Sequence, residues 1–256
     1  MTYCTILFFF LISVASAGTI DPTVPDSKYI EYGKKYECVL PIHGIYSDKL
    51  NSPFRASCVI INENYILTAA HVVENSLSQQ VIFNGKVYPC LIVGIHAGFD
   101  NTKFGTHDIA IARLQKPIKI DFYPELYREK DEIEKICGIS GWGMSGNFNT
   151  GSINSQFDNK RRAGSNIVAS IDKNILICKV NDKPKTKLEF LIASGDSGGG
   201  LFIDKKLAGI NSCVLTNDGK ADSNINDISG HTRISDYVQW IEKTIQTIEK
   251  ILKENK

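Results

Sequence analysis

Three side chains carry the chemistry this sequence offers: His71, Asp108 and Ser197, in that order along 256 residues. Ser197 sits in Ala193-Ser194-Gly195-Asp196-Ser197-Gly198-Gly199-Gly200. Glycines on both sides of one hydroxyl mark a tight turn where the backbone approaches something closely. Such a turn can expose a nucleophile and aim backbone N–H groups at one point, as an oxyanion hole requires. A serine hydroxyl is a poor nucleophile until a base takes its proton. A neutral imidazole, with a free pKa of about 6.5, can take it near neutral pH. A buried carboxylate then holds the correct tautomer and stabilises the imidazolium. Taken singly, each residue reads more plainly, as loop, structural histidine or turn aspartate.

The elements around them are short and strand-like. Cys58–Ile61 and Tyr65–Leu67, joined by the turn Asn62-Glu63-Asn64, form a hairpin that delivers Thr68-Ala69-Ala70-His71, where small residues leave room beside the imidazole. Val81–Phe83 and Val87–Ile95 flank Asn84-Gly85, a strong hairpin signal. Asp108 opens the apolar run Ile109–Leu114, a buried strand. Residues 121–135 are charged and read as an interdomain connection. A second strand-rich half follows, with residues 145–159 expected as a mobile loop and Arg161-Arg162 as an exposed dibasic pair and nicking site. Ile234, Tyr237, Val238, Ile241, Ile245, Ile248, Ile251 and Leu252 recur at spacings of three and four, an apolar stripe on a terminal helix. The pattern predicts an all-β chain of paired barrels or sandwiches plus that helix.

Lysine plus arginine number 29 and aspartate plus glutamate 28, a formal net charge of +1, so no global electrostatic argument favours nucleic acid or an anionic membrane. Residues 1–17 differ from the rest. The apolar run Ile6–Val14 precedes Ala15-Ser16-Ala17, and this reads as a secretory signal cut before Gly18. Export leaves Cys38, Cys58, Cys90, Cys137, Cys178 and Cys213, an even set expected to form disulfides of undetermined pairing. No metal or cofactor site is expected.

The chain resembles the trypsin/chymotrypsin-like serine endopeptidases. The matches are Leu67-Thr68-Ala69-Ala70-His71, Asp108-Ile109-Ala110, Ser140-Gly141-Trp142-Gly143, Gly195-Asp196-Ser197-Gly198-Gly199 and Tyr237-Val238-Gln239-Trp240-Ile241, all in the family's order. An esterase on an α/β-hydrolase fold would place its serine before the acid and histidine. The resemblance implies two six-stranded antiparallel β-barrels with a C-terminal helix and the triad in the cleft between them. The expected division is residues 1–17 signal peptide, 18–35 an extended arm or propeptide, 36–130 the first barrel, 131–232 the second and 233–256 the helix. It implies His71 as general base and acid, Asp108 orienting it and Ser197 as acylated nucleophile. The N–H groups of Gly195 and Ser197 become the oxyanion hole, Ser212 lines the cleft and supports Asp108, and Leu191 and Val214 form the floor and wall of the primary pocket. Asp196 matches the carboxylate that holds the oxyanion loop once a new N-terminal amine is inserted. The expected protein is secreted, extracellular or periplasmic, and monomeric. It acts on protein or peptide substrates, is open to a protein inhibitor, and has no membrane or nucleic-acid partner. A catalytically silent binding protein on the same fold is the alternative.

The departures are equally specific. The family's cysteine after the catalytic histidine and its partner 15 residues upstream of that histidine are Val72 and Ala56 here, and the cysteine four before the nucleophile is Ala193. This set looks closer to bacterial-type members than to vertebrate digestive ones. No basic residue precedes an Ile-Val-Gly-Gly. Ile30-Glu31-Tyr32-Gly33 is an echo that follows Tyr29, so either another protease releases Ile30 or no terminal insertion is needed, the latter being the working expectation. Leu191, six before the nucleophile, is where trypsin-like cutters place aspartate, so the pocket is expected to prefer apolar or small side chains.

Overall fold

The computed structural model describes residues 18–102, 105–152, 157–180, 186–216 and 218–254. A short strand, β1 (Gly18–Ile20), and a helix, α1 (Asp26–Gly33), lead in. The first barrel follows as β2 (Val39–Tyr46), β3 (Pro53–Asn62), β4 (Tyr65–Thr68), the single turn α2 (Ala70–Val73), β5 (Ser76–Phe83), β6 (Lys86–Ile95) and β7 (Ala110–Leu114). The second half adds β8 (Ile136–Gly141), β9 (Ser145–Asn147), β10 (Arg162–Asp172), β11 (Ile175–Lys179), β12 (Phe190–Leu191), β13 (Gly200–Ile203), β14 (Lys206–Leu215), β15 (Ile228–Arg233) and α3 (Val238–Glu254).

Two closed barrels result, in the orders β2-β3-β4-β7-β6-β5 and β10-β11-β15-β14-β13-β8, with antiparallel pairing throughout. Closure leaves neither barrel an unpaired edge. Asn84 and Gly85 have φ of 49° and 71°, the left-handed pair that a two-residue hairpin turn needs. Fully buried Ile42, Val59, Ile60, Ile66, Leu67 and Ile111 belong to the core built on the first barrel, and Ile139, Val168, Leu176, Leu201 and Ala208 to that of the second. The stripe on α3 docks on the first barrel through Val238, Ile241 and Ile248. Among the described residues no helix is long and apolar enough to cross a membrane.

A third sheet was not expected. Strand β1 lies between β12, antiparallel (Thr19 opposite Leu191), and β9, parallel (Gly18 opposite Ser145). Residues 18–35 are therefore not an extended arm. Gly18, Thr19 and Ile20 are buried, and α1 packs on β10 with Tyr29 fully buried near Phe190. Pro22 and Pro25 are what suggest an extended segment in the sequence, although Pro25 sits just ahead of the helix, where its fixed φ costs nothing. The stretch 145–159 also departs from a simple loop, since it contributes β9 and the buried Phe148, while residues 153–156 lie outside the described set.

The dibasic pair is corrected outright. The Arg162 side chain is 0% exposed; its Nε donates to Asp26 Oδ1 at 2.6 Å and its Nη2 to Asp158 Oδ2 at 2.8 Å. Arg161 donates from Nε to the Gly33 carbonyl and lies against Trp142. Both guanidinium groups tie the N-terminal segment to β10 instead of standing free in solvent. The expected disulfides are not formed either. Cys38, Cys58, Cys90, Cys137, Cys178 and Cys213 are all free thiols, and the nearest approach recorded is Cys137 Sγ to Cys178 Sγ at 3.8 Å.

Candidate active site

The site is assembled where the barrels meet. Strand β4 ends at Thr68, and the backbone turns through Ala69 and Ala70, both fully buried, into α2, which carries His71. Asp108 precedes β7, the strand hydrogen-bonded beside β4, so adjacent strands present the two side chains at one end of the barrel. His71 Nδ1 lies 2.8 Å from Asp108 Oδ2, and the His71 backbone N–H donates to Oδ1 at 2.9 Å. Asp108 thereby fixes both the ring and the peptide that bears it. Ser212, on β14 of the other barrel, donates from Oγ to the same Oδ2 at 2.6 Å. The Asp108 side chain is 3% exposed and that of His71 38%, the contrast between a buried anchor and a ring open to the cleft. Burial pushes the Asp108 carboxyl up, but donation from His71 and Ser212 and the histidine's charge outweigh it, and the group is held below the usual carboxylate range. An ionised Asp108 requires the Nδ1–H tautomer of His71, which leaves Nε2 free to accept a proton.

Residues 192–199 form the facing loop. The Ser57 N–H donates to the Ser197 carbonyl and Ser57 Oγ to that of Gly195, each at 2.9 Å, while the Trp142 N–H donates back to Ser57 Oγ. Gly198, at φ +82°, presses so closely on Ser57 O and Thr68 Oγ1 that an added Cβ would stand 2.1 Å from each. Ser197 is thus packed against the segment leading into His71, and it is half-buried. Among the described residues neither the Gly195 nor the Ser197 N–H has an acceptor, and Gly195 has φ +88°. Two uncommitted donors beside a serine are what an oxyanion would meet.

Asp196, between them, is fully buried. Its Oδ1 accepts from the Gly143 N–H at 2.8 Å and its Oδ2 from the Ala193 N–H at 2.9 Å. Desolvation pushes its carboxyl up to about 7 despite these donors and the field of Arg162. Asn211 braces the loop from below, donating from Nδ2 to the carbonyls of Ser140 and Asp196 and binding His231 Nδ1 through Oδ1.

Leu191 is 1% exposed and packs with Phe148 and Val180, an apolar cluster, and Val214 is half-buried on β14 opposite Ser229. A hollow of about 100 Å³ beside the triad is lined by His71, Phe99, Asp100, Asn101, Asp108 and Ser212, among others. A larger cavity of about 760 Å³ lies away from the triad, between Tyr32, Tyr36, Cys38, Ile136 and Phe202.

The sequence reading missed three contributors. Ser57 and Asn211 brace the nucleophile loop only through long-range bonds, and no local motif announced either. His107 sits at φ 49° directly before Asp108, with Nδ1 2.8 Å from Tyr237 Oη and its ring stacked on His96 at 4.7 Å. That cage seats the approach to Asp108, and a histidine beside the aspartate was its only visible sign.

The family profile named Trypsin matches residues 45–241. The chain belongs to the trypsin family. It is 25% identical to glandular kallikrein of Sus scrofa, covering 76% of this chain and 87% of that protein, and 27% identical to chymase of Macaca fascicularis, covering 94% and 96%. Complement C1s subcomponent of Bos taurus is 25% identical over 75% of this chain, which spans only 32% of that longer protein. Among solved structures, mouse neuropsin superimposes with a TM-score of 0.64 at 20% identity, covering 82% of this chain and 95% of that one. HL collagenase gives 0.65 at 18%, covering 82% and 94%. These two likenesses concern the fold. Its trypsin-family relatives are serine proteases, and peptidase activity is what they indicate for this chain.

Proposed function

We propose that this trypsin-family chain is a secreted serine endopeptidase working through an acyl-enzyme on Ser197. The observation that carries the reading is His71 held at both Nδ1 and backbone N–H by a buried, ionised Asp108. Ser197 Oγ attacks the scissile carbonyl while His71 Nε2 takes its proton. The carbonyl oxygen becomes an oxyanion and is met by the Gly195 and Ser197 N–H groups. His71 returns the proton to the leaving amine, and water repeats the sequence to release the acid. Each oxyanion donor contributes about 3–4 kcal/mol of transition-state stabilisation.

Ser212 supports Asp108 and lines the cleft. Leu191 and Val214 make an uncharged primary pocket for apolar or small side chains of a protein or peptide substrate. The enzyme acts as a monomer after loss of residues 1–17. A silent binding module would have no need of a histidine so oriented. Labelling with a serine-directed phosphonate is the test. Adduct on Ser197, absent from Ser197→Ala, is expected; correctly folded protein that takes no adduct overturns the reading.

A further inference from the structure

The cavity of about 760 Å³ away from the triad has a wall and a mouth of opposite character. Its volume falls in the range of about 300–1,000 Å³ typical of small-ligand sites. The wall is apolar. Cys38, Cys137 and Phe202 are buried, and the Tyr36 ring stands 5.0 Å from that of Phe202 and 5.6 Å from that of Tyr32. An added Cβ at Gly138 would collide with Tyr36 Oη, so that glycine lets the ring line the wall. Tyr36 Oη donates to Tyr32 Oη, and burial pushes the Cys38 thiol up to about 12, so it stays protonated. Among the described residues no buried side-chain nitrogen or oxygen without a partner lines the wall. At the mouth Phe122 is 51% exposed and Ile136 66%, two large apolar side chains left bare to water. Exposed Lys35 and Lys205 stand there too, against one acid, Asp204. Lys35 Nζ lies 4.8 Å from the Tyr32 ring centroid, and among the described residues neither lysine has a carboxylate partner. An adjoining hollow shares Tyr32 and Lys35 and adds Lys28, Lys34 and Lys187 with one acid, Glu31, which Lys34 already holds. Positive charge is therefore concentrated here on a chain whose formal net charge is only +1.

We propose that this cavity binds a single-chain anionic amphiphile, a fatty acid by chemical class, its hydrocarbon tail against Tyr36, Cys137, Phe202 and Ile136 and its carboxylate met by Lys35 and Lys205. The wall decides the tail. A peptide entering the cavity would bring amide N–H and C=O groups, and each would need a partner that no unsatisfied side chain there supplies. An alkyl chain needs none, and it takes Phe122 and Ile136 out of water. The mouth decides the head. Lys28, Lys34, Lys35, Lys187 and Lys205 face it against Glu31 and Asp204, so a carboxylate is attracted where an ammonium is repelled. An apolar wall beneath the lysines strengthens that attraction by excluding water from one side of it. None of His71, Asp108 and Ser197 lines the cavity, so the inference stands apart from the endopeptidase reading.

Laurate is the probe, titrated into the folded protein by calorimetry at pH 7 beside octanoate and decanoate. One laurate per chain is expected, with affinity rising about fourfold for each added CH₂. Decyltrimethylammonium, which has the same length of tail and the opposite charge, should bind at least tenfold more weakly than decanoate. Lys35→Glu combined with Lys205→Glu should weaken laurate at least tenfold, and added salt should weaken it in the parent. Ile136→Asp sets a carboxylate at the mouth on a side chain that is 66% exposed, and it should cost laurate tenfold or more with an unchanged circular dichroism spectrum. Leu50→Asp, 85% exposed and outside the cavity, should bind laurate as the parent does. Several laurates per chain, equal binding of the cationic amphiphile, or parent-like binding by Ile136→Asp would reveal surfactant adsorption and overturn the inference. Absence of saturable binding at about 1 mM laurate also overturns it. So does a peptide of alternating glutamate and phenylalanine that displaces laurate and binds more tightly, since the occupant would then be a polypeptide.

Discussion

Asp196 is fully buried with two backbone N–H donors and, among the described residues, no cationic partner, and the stability of the chain should record that cost. The folded chain holds the Asp196 proton up to about 7, whereas the unfolded chain releases it near the ordinary 3.8. Between those values the folded state binds more protons, so stability falls as pH rises from about 4 to about 7 and is flat beyond. At about 1.36 kcal/mol per pH unit, the loss is roughly 4 kcal/mol. His231 opposes it. Burial lowers that imidazole from 6.5 to about 3, so the unfolded state takes up the extra proton and stability rises with pH between those limits. The two slopes partly cancel, and the raw curve is uninformative. The difference between the protein and its Asp196→Asn variant isolates the first. Urea unfolding followed by the fluorescence of Trp142 and Trp240 at steps from pH 4 to 8 should show the variant gaining relative to the parent by a few kcal/mol. Parallel curves would refute the argument, because they would mean that Asp196 is ionised without cost.

Four further outcomes follow from the same geometry. Ser212→Ala removes a donor from the Asp108 carboxylate, a bond worth about 1.5–3 kcal/mol, and kcat should fall about tenfold to a hundredfold with KM little changed in steady-state assays. Arg162→Ala leaves Asp26 partly buried and unpaired and Asp158 with Lys160 alone, so the urea midpoint should drop by the equivalent of about 3–5 kcal/mol. Gly198→Ala places a methyl against Ser57 and Thr68, and labelling of Ser197 should be lost even where the chain still unfolds cooperatively. A peptide panel should show cleavage after apolar or small residues; efficient cleavage after arginine would disprove the assignment of Leu191 to the pocket floor.

The placement of His71, Asp108 and Ser197 was legible because each lies beside an element whose own pattern is local: Tyr65–Leu67 before His71, Ile109–Leu114 after Asp108, the glycine turn around Ser197. The two barrels and α3 were legible for the same reason, through hairpin turns and a stripe of period near 3.6. What escaped depends on partners far apart in the chain. Arg162 reads as surface charge until Asp26, 136 positions away, is brought to it. Ser57 and Asn211 are ordinary strand residues until the loop they brace is folded above them. Prolines near residues 22–25 hid α1, whose buried Tyr29 answers to Phe190 on a distant strand. Cysteine parity misled because a count carries no distance.

The sheet formed by β12, β1 and β9 joins two matters that sequence keeps apart. Thr19 pairs with Leu191, so the strand beginning at Gly18 and the residue assigned to the pocket floor share one ladder of hydrogen bonds. Whatever tightens one end tightens the other, by the reciprocity that governs any two linked equilibria. A tight inhibitor in the pocket should therefore slow hydrogen exchange of the β1 amides, and a substitution that loosens β1 should weaken that inhibitor by the same factor. Selectivity and the seating of β1 would then be two readings of one equilibrium, and a substitution at residue 191 intended to retune the first would shift the second with it.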